Sequence, residues 1–422
     1  MNTIVIDHFI EKKREGTYYS VPFEMPEGME SFTLRYRYSR EGNPKNVVDL
    51  GLSDGKGRFL GWSGGARSSI TLGPYSATPG YRMTKLEKGT WQILVGAYRI
   101  PEEGLSVRYE LSFSPSHRRW LRGDLHMHST ASDGENDTHT LAKRAVKEGL
   151  DFIAIADHNN YCENFQLPVI PGLTVIPAVE WTHYKGHINF FGVKAPFDNS
   201  FVANSREEML ALLESVRENG ALISVNHPKD PTCPYLWEDD RCFHMMELWN
   251  GPMRPANLAA EKWWRELLCQ GRRIPIVGGS DFHRDKSPVR FAHPTTWVYA
   301  DSPALEDICA ALAKGRSYLS ASPRGVRLGI GSDACFGDVL PREEGRSWRF
   351  TAERGCPGMV LRLMTQEGIA AETRFGLKGS ARMTLREGTW DFAYLVAGYP
   401  LREGLFIRAI SNPIYFDETN KE

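Results

Sequence analysis

The chain lacks a cysteine framework, an excess of either charge and any long apolar run, and each absence removes a class of protein. Its seven cysteines, Cys162, Cys233, Cys242, Cys269, Cys309, Cys335 and Cys356, are an odd number with no C-x-x-C pair. That pattern favours reduced thiols over a disulfide scaffold or a thiolate metal site. Lys and Arg number 51 against 52 Asp and Glu, a net charge of -1. No polyanion-binding face or membrane-surface patch follows, so neither nucleic acid nor membrane is expected as a partner. No run approaches the length of a bilayer span. The opening Met1-Asn-Thr-Ile-Val-Ile-Asp7-His8 has no apolar signal-peptide core. A soluble, cytoplasmic protein is the expectation, with a single chain and a homo-oligomer both left open.

There is enough apolar material for more than one core. At 422 residues and 41% hydrophobic, the chain divides into two or three domains. Residues 1–118 read as all-β, with short alternating runs broken by turn residues and no helical period. Ser31–Tyr38 is the clearest strand, joined by Trp91–Tyr98 and Leu105–Phe113. A β-sandwich closes such a set, and the stretch from Ser114 to Arg119 is a linker out of it.

Residues 119–321 alternate apolar strands with helical patterns. Strands are expected at 121–128, 151–157, 174–181, 187–193, 221–226, 245–249, 274–280 and 295–300. Ser205-Arg-Glu-Glu208 is a capping box that opens a helix, and Ser302-Pro303 supplies an N-cap with proline at the first helical position. Repeated strand–helix units predict a parallel α/β barrel. Residues 322–422 return to strand-and-turn patterning as a β-rich domain. Arg82–Trp91 resembles Arg382–Trp390, and each leads to a Gly-Leu-x-x-Arg strand at 104–108 and 404–408. Two related β-modules or convergent hairpin chemistry would account for this equally.

The histidines locate the chemistry. All of the twelve except His8 and His117 fall between 119 and 321, most of them at the ends of expected strands. In Asp124-Leu-His-Met-His128, the two imidazoles emerge on one side of a strand because successive side chains alternate. Ser132-Asp133-Gly134 follows as a turn carrying a carboxylate. The pattern recurs at Ser280-Asp281-Phe-His283, after an apolar strand. Between them, other strands end in His158, in Glu180 with Gly186-His187 close behind, and in Asn226-His227-Pro228. In an α/β barrel these ends open on one face.

This ordered set, His-x-His-x4-Asp, Asp-His, Glu with Gly-His, Asn-His-Pro and Ser-Asp-x-His, resembles the polymerase-and-histidinol-phosphatase (PHP) superfamily. The β-modules, the Glu180 and Gly186-His187 pairing and the ending Arg408-Ala-Ile-Ser-Asn-Pro-Ile-Tyr415 are similar to its CehA/McbA-like branch of metallohydrolases. The resemblance implies a distorted (β/α)7 barrel, flanked by β-sandwich-like domains, that holds a trinuclear metal centre. By the same resemblance, one metal takes His126, His128, Glu180 and Asp281. A second shares Glu180 and adds His187 and His227, and a third takes Asp133, His158 and His283. Glu180, Asp281, His187 and His227 are then the catalytic group. Six imidazoles and three carboxylates without a thiolate suit up to three divalent ions, zinc, manganese or iron.

A metal-bridging hydroxide at such a site attacks an ester, so the expected activity is that of a phosphoesterase on a small-molecule phosphate mono- or diester. Two alternatives stand beside it: a carbamate or carboxylic ester hydrolase of the CehA type, and a metal-holding binding protein whose β-domains recognise a glycan or partner. Lys229, Arg284, Lys286, Arg290 and His183 are candidates for substrate contact, with solvated loop charge as the plain alternative for the cations. Asp124, Asp157 and Asn226 stand next to ligands as candidates to support them, while Trp181, Trp237 and Trp249 either wall the pocket or pack the core. No polymerase module accompanies the barrel, which argues against a proofreading role.

Overall fold

The computed structural model describes residues 3–42, 45–198, 201–237, 243–331, 334–342, 346–386 and 389–417. It divides into two compact units, Met1–Arg118 and Arg119–Glu422. In the first, alternating sequences become eight strands: β1 (Thr3–Ile10), β2 (Tyr18–Met25), β3 (Met29–Arg37), β4 (Val47–Ser53), β5 (Phe59–Gly64), β6 (Ser69–Leu72), β7 (Gly89–Arg99) and β8 (Leu105–Pro115). They form two four-stranded sheets in the orders β1-β8-β3-β6 and β2-β7-β4-β5. Phe32, Leu34 and Tyr36 of β3 and Trp91, Ile93 and Val95 of β7 turn every second side chain into one shared core. The Phe32 and Trp91 rings, from opposite sheets, meet edge-on at 6.0 Å. This is the packing of a β-sandwich.

The second unit contains β9 (Arg119–Asp124), α1 (Thr138–Glu148), β10 (Phe152–Ile155), β11 (Thr174–His183), β12 (Gly186–Phe191), α2 (Arg206–Glu218), β13 (Leu222–Val225), β14 (Met245–Asn250), α3 (Pro255–Cys269), β15 (Ile276–Gly279), β16 (Thr295–Ala300), α4 (Leu305–Ala313) and β17 (Ser317–Ser320). The sheet order is β15-β14-β13-β12-β11-β10-β9-β16-β17. The expectation of uniformly parallel strands needs correction. The pairs β9·β10, β10·β11, β13·β14 and β14·β15 are parallel, but β12 runs antiparallel to both neighbours and β16 runs antiparallel to β9. Only Tyr184 and Lys185 separate β11 from β12. Two residues close a hairpin and are far too few for a parallel crossover.

The two ends of this strand series meet. Beyond β15, Phe282 bridges Met127 in parallel, the Asp281 N–H donates to the His126 carbonyl at 2.8 Å and the His128 N–H donates to the Phe282 carbonyl at 3.0 Å. Glycine permits the approach, since a Cβ on Gly279 would lie 2.2 Å from the His126 Cβ. The pairing circuit from β9 through β15 therefore returns to the chain that follows β9.

The α2 helix is capped by Ser205 as expected, with Glu208 reaching one residue past the cap. The Ser205 hydroxyl accepts from the Glu208 N–H at 3.1 Å, and Glu208 reaches back to the Asn204 N–H at 2.6 Å. The expected start of α4 at Ser302 does not hold, because the helix begins at Leu305 with Ala304 as its cap. Ser302 instead accepts from the Ala304 N–H and donates to the Asp307 carboxylate, tying the approach to the first turn. No described helix is long and apolar enough to cross a membrane.

The boundary expected near residue 322 falls inside the second unit. The sheet continues from β17 to the strand Leu405–Ser411 and on to Phe392–Pro400, both pairings antiparallel. The two similar segments lead into different strand pairings. In the first unit, β7 and β8 lie in different sheets, whereas Phe392–Pro400 and Leu405–Ser411 pair directly. Similar turn chemistry serves two topologies.

Candidate metal centre

The nine imidazole and carboxylate residues expected from the sequence converge around Glu180. This side chain is 1% exposed, near the end of β11 where the parallel bridge from His158 arrives. One carboxylate oxygen, Oε1, lies 3.3 Å from His126 Nε2, 3.1 Å from His187 Nδ1 and 3.2 Å from His227 Nε2, and it accepts from Asn226 Nδ2 at 2.9 Å. The other, Oε2, lies 2.8 Å from His158 Nδ1 and 3.5 Å from His128 Nε2. Five imidazoles thus share one carboxylate.

Asp281 supplies the second carboxylate, with Oδ1 3.1 Å from His128 Nε2 and 3.5 Å from His126 Nε2. Asp133, half exposed, supplies the third, 3.5 Å from His158 Nε2, 3.3 Å from His283 Nε2 and 4.0 Å from His128 Nδ1. Asp281 and His227 hold left-handed backbone, at φ +56 and +26. Such conformations in non-glycine residues cost roughly 1–3 kcal/mol each and persist where the surroundings dictate them.

Charge balance dominates the site. Burial raises the Glu180 carboxyl, but His126 and the donors from His158 and His187 outweigh it and hold the group well below its ordinary value. Asp281, whose side chain is a quarter exposed, is likewise held well below the carboxylate range by His126 and His128. Burial lowers the imidazoles, yet Glu247, Asp281 and Glu180 carry His126 well above its ordinary value. His128 stays lowered because burial wins there.

The donor set fits divalent ions. His126 Nε2 and His128 Nδ1 are buried without a hydrogen-bond partner, although carboxylate oxygens stand within 4.0 Å of both. Buried imidazole nitrogens are rarely left so, and lone pairs aimed between carboxylates are the environment a cation completes. Among the described residues, three clusters have ligand atoms close enough for a shared ion: His126, His128 and Asp281; His128, Asp133, His158 and His283; and His187, His227 and Cys233. His128 therefore joins two clusters, where the resemblance gave it to one.

Residues 124–225 match the PHP domain model. This stretch of the chain is similar to PHP domains. The match includes His126, His128, Asp133, His158, Glu180 and His187. His227, Asp281 and His283 follow it in sequence. The DNA polymerase/3'-5' exonuclease PolX of Bacillus subtilis (strain 168) is 44% identical over 54 residues, which is 13% of this chain and 9% of that protein's length. Among solved structures, a two-domain protein of Bacteroides vulgatus ATCC 8482, described as containing a predicted PHP-like metal-dependent phosphoesterase, shares 19% identity. That alignment covers 70% of this chain and 95% of the other, at a TM-score of 0.41. A protein of Bifidobacterium adolescentis ATCC 15703, assigned as a metal-dependent phosphoesterase, shares 16% identity over 40% of this chain and 90% of its own, at a TM-score of 0.29.

Around the cluster, the supporting residues divide. Asn226 touches the Glu180 carboxylate directly. Asp124 and Asp157 instead hold the surrounding chain: Asp124 accepts from the N–H groups of His126, Ser280 and Ala292, and Asp157 from the Ser129 N–H and the Ser132 hydroxyl. Burial pushes the Asp124 carboxyl up to about 6 despite these donors.

Sequence reading missed Glu247, 2% exposed in the middle of β14. It accepts from His126 Nδ1 at 2.9 Å, from the His227 N–H at 3.1 Å and from Asn250 Nδ2 at 3.2 Å. A carboxylate inside the apolar run Met245–Trp249 was the available signal. Cys233 was also missed, and its sulfur lies with His187 and His227 in the third cluster. The six described cysteines are free thiols, and Cys242 lies outside the described residues.

Of the substrate candidates, His183 lines a cavity beside His187. A space of about 550 Å³ is lined by Trp181, His183, Tyr184, His187, Phe201 and Cys233 among others. The Lys229 ammonium instead lies over the Trp263 ring at 4.3 Å, Arg284 pairs with Glu135 at 3.9 Å and Arg290 is exposed. Trp181 both walls the cavity and packs the core. Trp237 meets the His183 ring at a tilt with ring centres 4.7 Å apart, while Trp249 donates to the Gly251 carbonyl inside the core.

Proposed function

We propose that the protein is a metal-dependent hydrolase of a small-molecule phosphate mono- or diester, its PHP domain forming a distorted (β/α)7 barrel around a trinuclear centre. The observation that carries this reading is the single buried carboxylate of Glu180 within 3.5 Å of five imidazoles. Divalent zinc, manganese or iron at such a site would activate water near neutral pH and neutralise charge on an ester oxygen. His126, His128 and Asp281 would hold one ion, His187 and His227 a second, and Asp133, His158 and His283 a third, with Glu180 shared. Asn226 orients that shared carboxylate, and Glu247 fixes His126 from behind. The cavity size suits a small ligand.

A second reading, carbamate or carboxylic ester hydrolysis, is favoured by one feature. The residues lining the cavity include rings, hydroxyls and amides but no Lys or Arg, so a neutral ester meets no missing cation there. Metal-loaded protein assayed on matched chromogenic phosphate monoesters, phosphodiesters and carbamates separates the two. Phosphate ester turnover that Glu180→Ala abolishes is the expected result. Turnover of carbamates alone would overturn the phosphoesterase reading, and hydrolysis undiminished in Glu180→Ala would overturn both.

A further inference from the structure

We infer that Cys233 is a positioning residue for His227: its sulfur accepts the Nδ1–H of that imidazole and so directs Nε2 toward the Glu180 carboxylate. The inference rests on the metal-centre reading above and adds to it a residue that no sequence motif marks. The two ring nitrogens of His227 face different ways. Nε2 is 3.2 Å from Glu180 Oε1, inside the cluster, while Nδ1 is 3.3 Å from Cys233 Sγ. The sulfur meets the ring at the nitrogen that does not face Glu180. A ligating imidazole needs a partner for its other nitrogen, because that hydrogen bond selects the tautomer and the ring angle. For His126 the partner is the Glu247 carboxylate at 2.9 Å. For His227 the thiol occupies the equivalent place.

The position of the sulfur is built, not incidental. Asp230 is 5% exposed and organises the turn that carries Cys233. Its N–H donates to the His227 carbonyl at 2.9 Å, and its Oδ1 accepts from the Thr232 N–H at 2.9 Å and the Thr232 hydroxyl at 2.6 Å. Arg254 anchors the other oxygen at 2.9 Å. The turn therefore binds one end to the His227 backbone and delivers Cys233 to the His227 ring six residues later. Cys233 also lines the cavity beside His187, so the contact is within reach of solutes.

Cobalt(II) loading tests this without relying on turnover. Wild type, Cys233→Ala and Cys233→Ser are titrated with cobalt and followed by metal content and near-ultraviolet absorption, with circular dichroism to verify folding. The expected wild-type spectrum shows bound cobalt without the intense charge-transfer absorption of a cobalt–thiolate bond. Cys233→Ala should weaken one cobalt equivalent by about ten- to hundredfold. Cys233→Ser, whose hydroxyl can also accept the Nδ1–H, should recover most of that loss. A thiolate charge-transfer band that disappears in Cys233→Ala would make the sulfur a ligand and overturn the positioning role. Equal affinity in all three proteins would overturn it as well. Wild-type protein that takes up no cobalt would remove the metal centre itself, a failure distinguishable from the other two.

Discussion

Replacing Glu180 with glutamine is the sharpest perturbation of the centre, because the side chain keeps its size and loses only the charge that five imidazoles face. At a metal concentration one hundred times the Kd, binding stabilises the folded state by about 2.7 kcal/mol per ion. Loss of an outer partner to a ligand weakens binding by up to roughly 100-fold, and loss of a shared ligand should do no less. At the same metal concentration the stabilisation then falls to about 0.4 kcal/mol, since the concentration only equals the new Kd. A large unit changes its Tm by about 2 °C per kcal/mol. The difference of about 2.3 kcal/mol therefore corresponds to about 5 °C for each ion that Glu180 touches. Differential scanning calorimetry of metal-stripped and metal-loaded wild type and Glu180→Gln measures it, alongside elemental analysis of each sample. Equal metal content and an equal metal-dependent rise in Tm in both proteins would refute the shared-carboxylate argument.

Glu247→Gln should lower metal affinity about ten- to hundredfold without changing the number of ligands, as read by competition with a chromophoric chelator. His183→Ala should leave metal content unchanged and raise KM for the preferred ester about two- to tenfold, the worth of one ring contact; a fall in kcat at unchanged KM would contradict a substrate-facing role. Trp264 is fully buried, donates to the Ile274 carbonyl at 2.8 Å and packs edge-on against Tyr394 at 5.0 Å. Trp264→Ala should therefore cost about 3–5 kcal/mol in urea unfolding. Burial raises the Glu261 carboxyl above its ordinary value of 4.5, against the opposing donor from Tyr394. Its folded form thus keeps the proton to higher pH than the unfolded chain, and the stability it contributes is lost as pH rises through the folded value. The Tm of Glu261→Gln relative to wild type should accordingly increase from about pH 4 to about pH 7, and a constant difference would count against this.

Strand periodicity and turn residues made much of the centre legible without coordinates. Alternation alone places His126 and His128 on one side of a chain, and the apolar strands before Asp157-His158, Glu180, Asn226-His227 and Asp281-Phe-His283 mark where each side chain emerges. Those local rules need no knowledge of neighbours. They could not reveal that β16 runs antiparallel to β9, or that the two similar segments enter different topologies, because those pairings are decided between segments distant in sequence. The supporting contacts were hidden for the same reason. Glu247 becomes the partner of His126, 121 positions away, only when β14 is seated between β13 and β15. Lys229, an apparent anion contact in the sequence, is committed to the Trp263 ring by packing. Residue type and spacing determined which groups can bind a cation; the order of strands and the folding of loops over them decided which of those groups meet, and what stands behind each one.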